Sequence, residues 1–373
     1  MKIAIIGTRG IPNHYGGFEQ FAEYLSVYLA NKGHNVTVYN SHEHPYQENV
    51  YQGVNIVHCF DPEDKIGTVG QFVYDLNCIQ DVRHKDFQII LQLGYTSSSI
   101  WGFLLPKDAV VLTNMDGLEW KRSKFSKPVQ VFLKLAEKLA VQSSDYLISD
   151  SIGIQDYINE KYSVNSEYIP YGANLFTNPN REVLNEYNLK PYAYDMLVAR
   201  LEPENSIEII LDGVVHANIK REFLVIGKHE TTYGSYLKKK FKNFENIKFI
   251  GGVYDINILN NLRYFSNIYF HGHTVGGTNP SLLEAMASGA MICANDNIFN
   301  KAILESDAFY FSSLEEVSHV LETTMKLEHS GMIAANSCKI RELYSWPKIN
   351  ESYLDFMLNC YEKKNNKRTG VMV

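Results

Sequence analysis

The chain has 373 residues, too many for one ordinary hydrophobic core and enough for two domains. Hydrophobic residues make up 45% and charged residues 21%, an ordinary soluble composition. A net charge of -7 argues against nucleic acid as the main partner, because phosphate backbones demand a basic surface.

From the amino end, "MKIAIIG" holds one lysine and an apolar run too brief for a signal peptide, so the chain opens on a buried strand, "KIAIIG" (2–7). Further apolar, β-branched runs read as strands at 35–40, 54–60, 88–94, 109–114, 146–151 and 167–172. Amphipathic stretches such as 18–33 and 128–142 lie between them as helices. The pattern then restarts, with strands at 195–201, 222–227, 246–252, 267–273, 290–295 and 308–312. Continuous apolar strands spaced by helices indicate parallel sheets covered on both faces, and two such blocks imply two doubly wound α/β domains. The seam is expected in the polar stretch 173–183, giving domains 1–173 and 174–345. A last helix over 346–364 opens on a proline, and the tail after it is expected to fray.

No apolar run approaches the roughly 20 residues that span a bilayer. The five cysteines, Cys59, Cys78, Cys293, Cys338 and Cys360, are scattered and form no CxxC, so neither a disulfide framework nor a zinc site is expected. A reducing cytoplasm is the fitting compartment.

The segment "HGHTVGGTNPSLLEAMASGA" (271–290) follows a strand and opens a helix. Ligands of open α/β sheets bind beyond the carboxyl ends of the strands. Pro280 suits the first helical position, Asn279 the N-cap and Gly289 the stop. Gly276 and Gly277 let backbone N–H groups approach a ligand, and the helix end adds about half a positive charge. A diphosphate is the anion that such a site fits best. Glu284, one turn inside, would be repelled by it and is expected to accept hydrogen bonds from a nucleotide's sugar ring. The same features also serve as ordinary α/β punctuation with a solvated glutamate.

With "GTRGIPNHYGGFE" (7–19), "NMDGLEWKR" (114–122), "VARLEPEN" (198–205), "HGHTVGGTNPSLLEAMASG" (271–289) and "YSWPKI" (344–349), the chain resembles the large retaining GT-B glycosyltransferase family. More narrowly, it is similar to bacterial rhamnosyltransferases that build cell-surface polysaccharides. The resemblance implies two Rossmann-like domains facing across a cleft, with the last helix packed back on the first. It implies transfer of L-rhamnose from dTDP-rhamnose to glucose or N-acetylglucosamine on a lipid diphosphate carrier. Another nucleotide-sugar donor, or a nucleotide-sugar epimerase of the same fold, remains the alternative.

Matched position by position, Glu284 corresponds to the glutamate that binds the donor's nucleoside sugar. Gly277, Thr278 and Asn279 match the loop holding the diphosphate, Arg200 the cation that neutralises it, and Gly16 and Gly17 the first-domain loop that approaches it. Two departures stand out: Gly276 replaces an acid found in many relatives, and Asn205 replaces a lysine. Lys228 or Arg9 is a candidate replacement for that missing cation. A retaining transfer can proceed on one face, with the departing diphosphate helping to deprotonate the incoming hydroxyl, so positioning and charge stabilisation dominate.

No Asp-x-Asp pair occurs, and a metal-independent reaction with no cofactor beyond the nucleotide-sugar is expected. His271 and His273 fall on one strand face but lack a third ligand, so no metal is assigned; His273 is instead expected to contact the donor sugar. Asp116 is expected to bond a sugar hydroxyl or the attacking group, or else to cap the turn into "GLEWKR"; Glu119 is a weaker candidate beside it. A dinucleotide-binding oxidoreductase is disfavoured, because "KIAIIGTRG" lacks the GxGxxG spacing and a strand-end acid about 20 residues on.

The stretch 121–142 sets Lys121, Arg122, Lys124, Lys127, Lys134 and Lys138 beside Val129, Phe132, Leu133, Leu135 and Leu139. It reads as a basic amphipathic segment docking on anionic lipid, or as a core helix with a solvated lysine face. Docking would place the enzyme peripherally on the inner face of a bacterial plasma membrane, beside its lipid-linked acceptor.

Overall fold

The computed structural model describes residues 1–14, 16–122 and 125–369. The chain divides into two compact units. Met1–Trp120, Phe125–Tyr171 and Trp346–Val373 form the first; Lys121–Lys124 and Gly172–Ser345 form the second.

Among the described residues the first unit holds eight strands: β1 (Lys2–Ile6), β2 (Asn35–Ser41), β3 (Val50–Tyr51), β4 (Val54–Cys59), β5 (Ile89–Leu93), β6 (Val110–Asn114), β7 (Tyr146–Ser149) and β8 (Ser166–Tyr168). Their order is β3-β4-β2-β1-β5-β6-β7-β8, parallel throughout except for the β3–β4 edge pair. Ile3, Ala4 and Ile5 of β1, and all five residues of β5, are buried, as a sheet covered on both faces requires. Strand β8 stops at Tyr168 rather than running to 172, because Pro170 has no N–H for the ladder.

The helix Trp346–Thr369 belongs to this first unit. Trp346 stacks on Tyr24 with centroids 4.5 Å apart, and Tyr353 packs on Phe21 at 4.7 Å. The Tyr353 hydroxyl accepts from the Asn114 amide at 2.9 Å, at the end of β6. The helix continues past Lys364 to Thr369, since neither glycine nor proline interrupts it before Gly370.

The second unit holds β9 (Tyr194–Val198), β10 (Glu222–Ile226), β11 (Ile247–Gly251), β12 (Tyr269–His271), β13 (Ile292–Asn295) and β14 (Phe309–Phe311), all parallel, in the order β11-β10-β9-β12-β13-β14. Its core joins Leu197, Phe223, Phe270 and Phe311 of the sheet to Ile207, Ile210, Leu211 and Val214 of the helix Ile207–Ala217. Gly213 is required there. A Cβ at that position would meet Val317 of the helix Leu314–Thr323 at 2.5 Å. In each sheet the order reverses once, between β1 and β5 and between β9 and β12, and those reversals mark where loops part to admit a ligand. No helix among the described residues is long and apolar enough to cross a membrane.

Candidate active site

In the second unit, the loops leaving β9 and β12 meet at the reversal. A Cβ on Gly272 would sit 2.0 Å from the Asn205 carbonyl oxygen, so only glycine permits this approach. The backbone N–H and hydroxyl of Thr274 both donate to the Glu204 carbonyl, at 3.0 and 2.8 Å. Side-chain amides of Asn297 and Asn300 donate to the His273 carbonyl at 2.9 and 3.2 Å. The edge is therefore held from both sides.

Beyond it, Gly276 takes φ +130, a glycine conformation, with open space where a side chain would stand. Gly277 and the buried Thr278 follow, and Asn279 caps the helix Pro280–Ala287 by accepting from the Ser281 N–H at 2.9 Å. Gly289, at φ +68, closes that helix after Ser288.

Arg200 and Lys228 are exposed beyond the ends of β9 and β10. Asn205 is buried and donates to the Arg200 carbonyl at 2.6 Å. It thus fixes the backbone from which Arg200 projects. The rings of His271 and His273 stack at 4.4 Å. Burial holds His271 well below its usual range and lowers His273 to about 3, where the Arg200 charge adds to the effect; both are neutral. Among the described residues, neither ring nitrogen of His271, nor Nδ1 of His273, has a hydrogen-bond partner. Buried polar atoms are seldom left so, and here they cluster beside an open glycine loop. Among the described residues, no group of three or more His, Cys, Asp or Glu is placed to hold a metal ion.

Glu284 is not a solitary carboxylate. Its Oε2 pairs with Nη2 of Arg263 at 2.8 Å, while its side chain keeps 21% exposure. Arg263 comes from the helix Ile256–Phe265 and is fully buried among Leu259, Leu262 and Phe265. Nη2 also donates to the Ser281 hydroxyl at 3.2 Å, and Nη1 to Asn260 Oδ1 at 3.2 Å. Sequence reasoning missed Arg263. A charged residue inside an otherwise apolar helix stripe was the available signal.

In the first unit, Gly16 caps the helix Gly17–Asn31 at the carboxyl edge of β1. Buried Glu19 of that helix accepts from the Thr8 hydroxyl at 3.1 Å and the Arg9 N–H at 2.9 Å, pinning the loop after β1. The Arg9 guanidinium forms a two-point ion pair with Glu63, Nη2 to Oε1 at 3.0 Å, which weakens its candidacy as the missing cation. Asp116 is half-buried beyond β6 with φ +48, and its N–H donates to Asn114 Oδ1 at 2.9 Å. Aspartate tolerates that left-handed conformation better than most residues. Glu119 is half-buried beside it.

Asp75, on the helix Gly70–Arg83 that precedes β5, is buried, with its Oδ2 accepting at 2.5 Å from the hydroxyl of Ser97, which follows β5. Burial, with Asp61 adding its charge, raises its carboxyl to about 7. The hydroxyls of Tyr95 and Ser99, either side of Ser97 in the chain, are buried and have no partner among the described residues.

The basic stretch does not form one continuous segment. Lys121 ends a short turn (Glu119–Lys121), and Lys121 and Arg122 group with the second unit, whereas the helix Lys127–Ser143 belongs to the first. Lys124 lies outside the described residues. The helix buries Leu133, Ala136, Glu137 and Ala140, turning Lys127, Val131, Leu135 and Lys138 to the opposite face. Val131 is 68% and Leu135 51% exposed, and Phe103 on the adjoining turn Ser99–Leu104 is 77% exposed. Phe132 instead packs on Phe72 at 5.6 Å, and the Lys134 ammonium lies 4.4 Å from the Trp120 ring.

Residues 1–174 match a family described as a domain of unknown function, DUF1972. No curated protein matches the chain in sequence. Solved structures do match in shape. Sucrose-phosphate synthase from Thermosynechococcus elongatus aligns with a TM-score of 0.77 at 15% identity, covering 97% of this chain and 99% of that one. HepE from Anabaena, solved with UDP-glucose, aligns with a TM-score of 0.74 at 13% identity over 96% of this chain and 99% of its own. Trehalose 6-phosphate synthase from Burkholderia multivorans gives 0.69 at 10% identity over 98% and 99%. The chain shares with these proteins the GT-B fold, built from two doubly wound parallel α/β units.

Proposed function

We propose that the chain is a retaining glycosyltransferase that takes a sugar from a nucleoside diphosphate. In its narrowest form the reaction moves L-rhamnose from dTDP-rhamnose to glucose or N-acetylglucosamine on a lipid diphosphate. The reading is carried by one observation: the glycine loop 276–277 leads into an Asn279-capped helix beside buried, neutral, unpartnered histidines, at the strand reversal of the second unit. The likeness to HepE, solved with UDP-glucose, supports it.

In this reading, the backbone at Gly277, Thr278 and Asn279 and the amino end of the helix receive the diphosphate. Arg200 balances charge as the sugar–phosphate bond lengthens, with Lys228 as the second cation. His273 offers its ring to a hydroxyl of the transferred sugar. Glu284 receives the nucleoside sugar. Gly16 and Gly17 of the first unit approach the phosphates, and Asp116 orients the attacking hydroxyl, whose proton passes to the departing diphosphate. The positive charge comes from Arg200 and the helix end, so the proposed reaction needs no metal.

The exposed stripe Lys127–Val131–Leu135–Lys138, with Phe103 beside it, is proposed to rest on anionic lipid at the inner membrane face, where a lipid-linked acceptor resides. Thermal-shift measurements with dTDP-, UDP- and GDP-sugars test the donor, and product analysis with a synthetic lipid-diphosphate sugar tests transfer. We expect stabilisation by dTDP-rhamnose and a glycoside of retained anomeric configuration. Stabilisation by GDP-mannose alone would overturn the rhamnose assignment, and sugar interconversion without a glycoside would replace transfer with epimerisation.

A further inference from the structure

We infer that Glu137 is a positioning residue for the transfer, holding the Asp116 segment in place through the indole of Trp120. The inference rests on the reading of Asp116 as the group that orients the attacking hydroxyl.

Glu137 sits on the inward face of the helix Lys127–Ser143, with 1% of its side chain exposed. A carboxylate so deeply buried needs a countercharge and donors for its oxygens. Oε1 accepts from the Tyr157 hydroxyl at 2.9 Å, the Lys161 ammonium at 2.7 Å and the Tyr162 hydroxyl at 2.6 Å. Those three donors share the helix Ile152–Tyr162 and suffice to clamp one helix to the other. The fourth donor comes from elsewhere. Nε1–H of Trp120, on the turn Glu119–Lys121, donates to Oε2 at 3.1 Å. The Lys134 ammonium lies over the same ring, 4.4 Å from its centroid, and the Tyr157 ring packs on it at 6.0 Å. The indole is thus fixed in direction as well as in depth.

Trp120 stands four residues beyond Asp116, which itself follows the end of β6. The sheet holds one end of this short link and the indole holds the other. Met115 and Leu118 between them are buried, but apolar burial is non-directional and does not set the angle at which Asp116 is presented. The Tyr95 phenol shows how near the groups lie: burial raises it above its usual range, and the charges of Glu137, Glu119 and Asp116 add to the effect. With both oxygens bonded and almost no exposure, Glu137 does not itself meet the substrate. It acts through Trp120.

The test uses two variants of the full-length chain. Trp120→Phe keeps a ring beneath Lys134 and removes only the N–H bond. Glu137→Gln, with its amide oxygen on the Lys161 side, turns its NH2 toward the indole N–H and breaks the same contact. Each is assayed for transfer from dTDP-rhamnose to a synthetic lipid-diphosphate N-acetylglucosamine, alone and combined with Asp116→Asn. We expect either variant to lower kcat about tenfold while calorimetric donor affinity stays at the wild-type value. In the Asp116→Asn background neither should lower it more than about twofold, because both act through one carboxylate. A merely structural role would lower transfer equally in both backgrounds. That result, or a fully active Trp120→Phe protein, overturns the inference; if Glu137→Gln fails to fold, Trp120→Phe decides alone. A fully active Asp116→Asn protein overturns the Asp116 reading and this inference with it, a result distinct from loss at Asp116 without loss at Trp120.

Discussion

The two sheets present contrasting edges at their strand reversals. In the first unit the polar groups there are largely satisfied by one another: Arg9 by Glu63, Thr8 by Glu19, Ser97 by Asp75. The unpartnered buried groups after β5 are the hydroxyls of Tyr95 and Ser99. In the second unit the edge combines exposed Arg200 and Lys228 with an open glycine loop and two neutral histidines. One fold used twice thus presents two different edges, set by a handful of loop residues.

This contrast can be broken first at Gly272. Replacement by alanine drives a Cβ to 2.0 Å from the Asn205 carbonyl, and we expect a stability loss of about 3 kcal/mol in chemical denaturation. Gly276→Ala, with open space around it, should cost only about 1 kcal/mol through its backbone conformation. If the two substitutions proved equal, the tight junction of the β9 and β12 loops would be mistaken.

The buried ionisable groups sharpen the comparison, because they respond to pH in opposite directions. Asp75 has its folded value raised from 3.8 to about 7, so its contribution is full below 3.8 and lost as pH rises to about 7. His273 is lowered from 6.5 to about 3, so its contribution is full above 6.5 and lost as pH falls toward 3. Asp75→Asn should therefore stabilise the protein by roughly 2 kcal/mol above pH 7 and leave it unchanged near pH 3.8. Melting curves across that range would show the stabilisation; a pH-independent effect would count against a protonated Asp75.

Arg200→Gln is expected to weaken nucleoside diphosphate binding about tenfold and to flatten its salt dependence, as read by titration at low and high ionic strength. The smallest effect is expected at the surface of the Lys127–Ser143 helix. Reversing Lys127 and Lys138 to glutamate should reduce flotation with anionic vesicles several-fold and leave neutral vesicles unaffected. Unaltered flotation would make this a solvated helix face.

Much of the architecture was readable in advance because buried parallel strands must be continuous apolar runs, and both blocks of such runs became sheets. The Asn279–Pro280 helix start was likewise legible, since capping chemistry is local. Arg263 was not, because its partner Glu284 comes from a different helix and nothing in the spacing joins them. The same holds for Asp75 with Ser97 and Arg9 with Glu63. The division of the basic stretch was hidden for the opposite reason: its cations are neighbours in sequence, but Lys121 and Arg122 group with one unit and the helix Lys127–Ser143 with the other. Two-residue β3 was too short to leave a pattern.

The closing helix has a consequence for anyone cutting the gene. Phe21, Tyr24 and the Asn114 amide find their partners on Trp346, Asn350 and Tyr353, at the far end of the polypeptide. A fragment stopped at residue 174, where the DUF1972 match ends, would leave that apolar seam bare and invite aggregation. A soluble first half calls for a fusion that splices the chain from Trp346 onward back on, which would also deliver this unit free of the other.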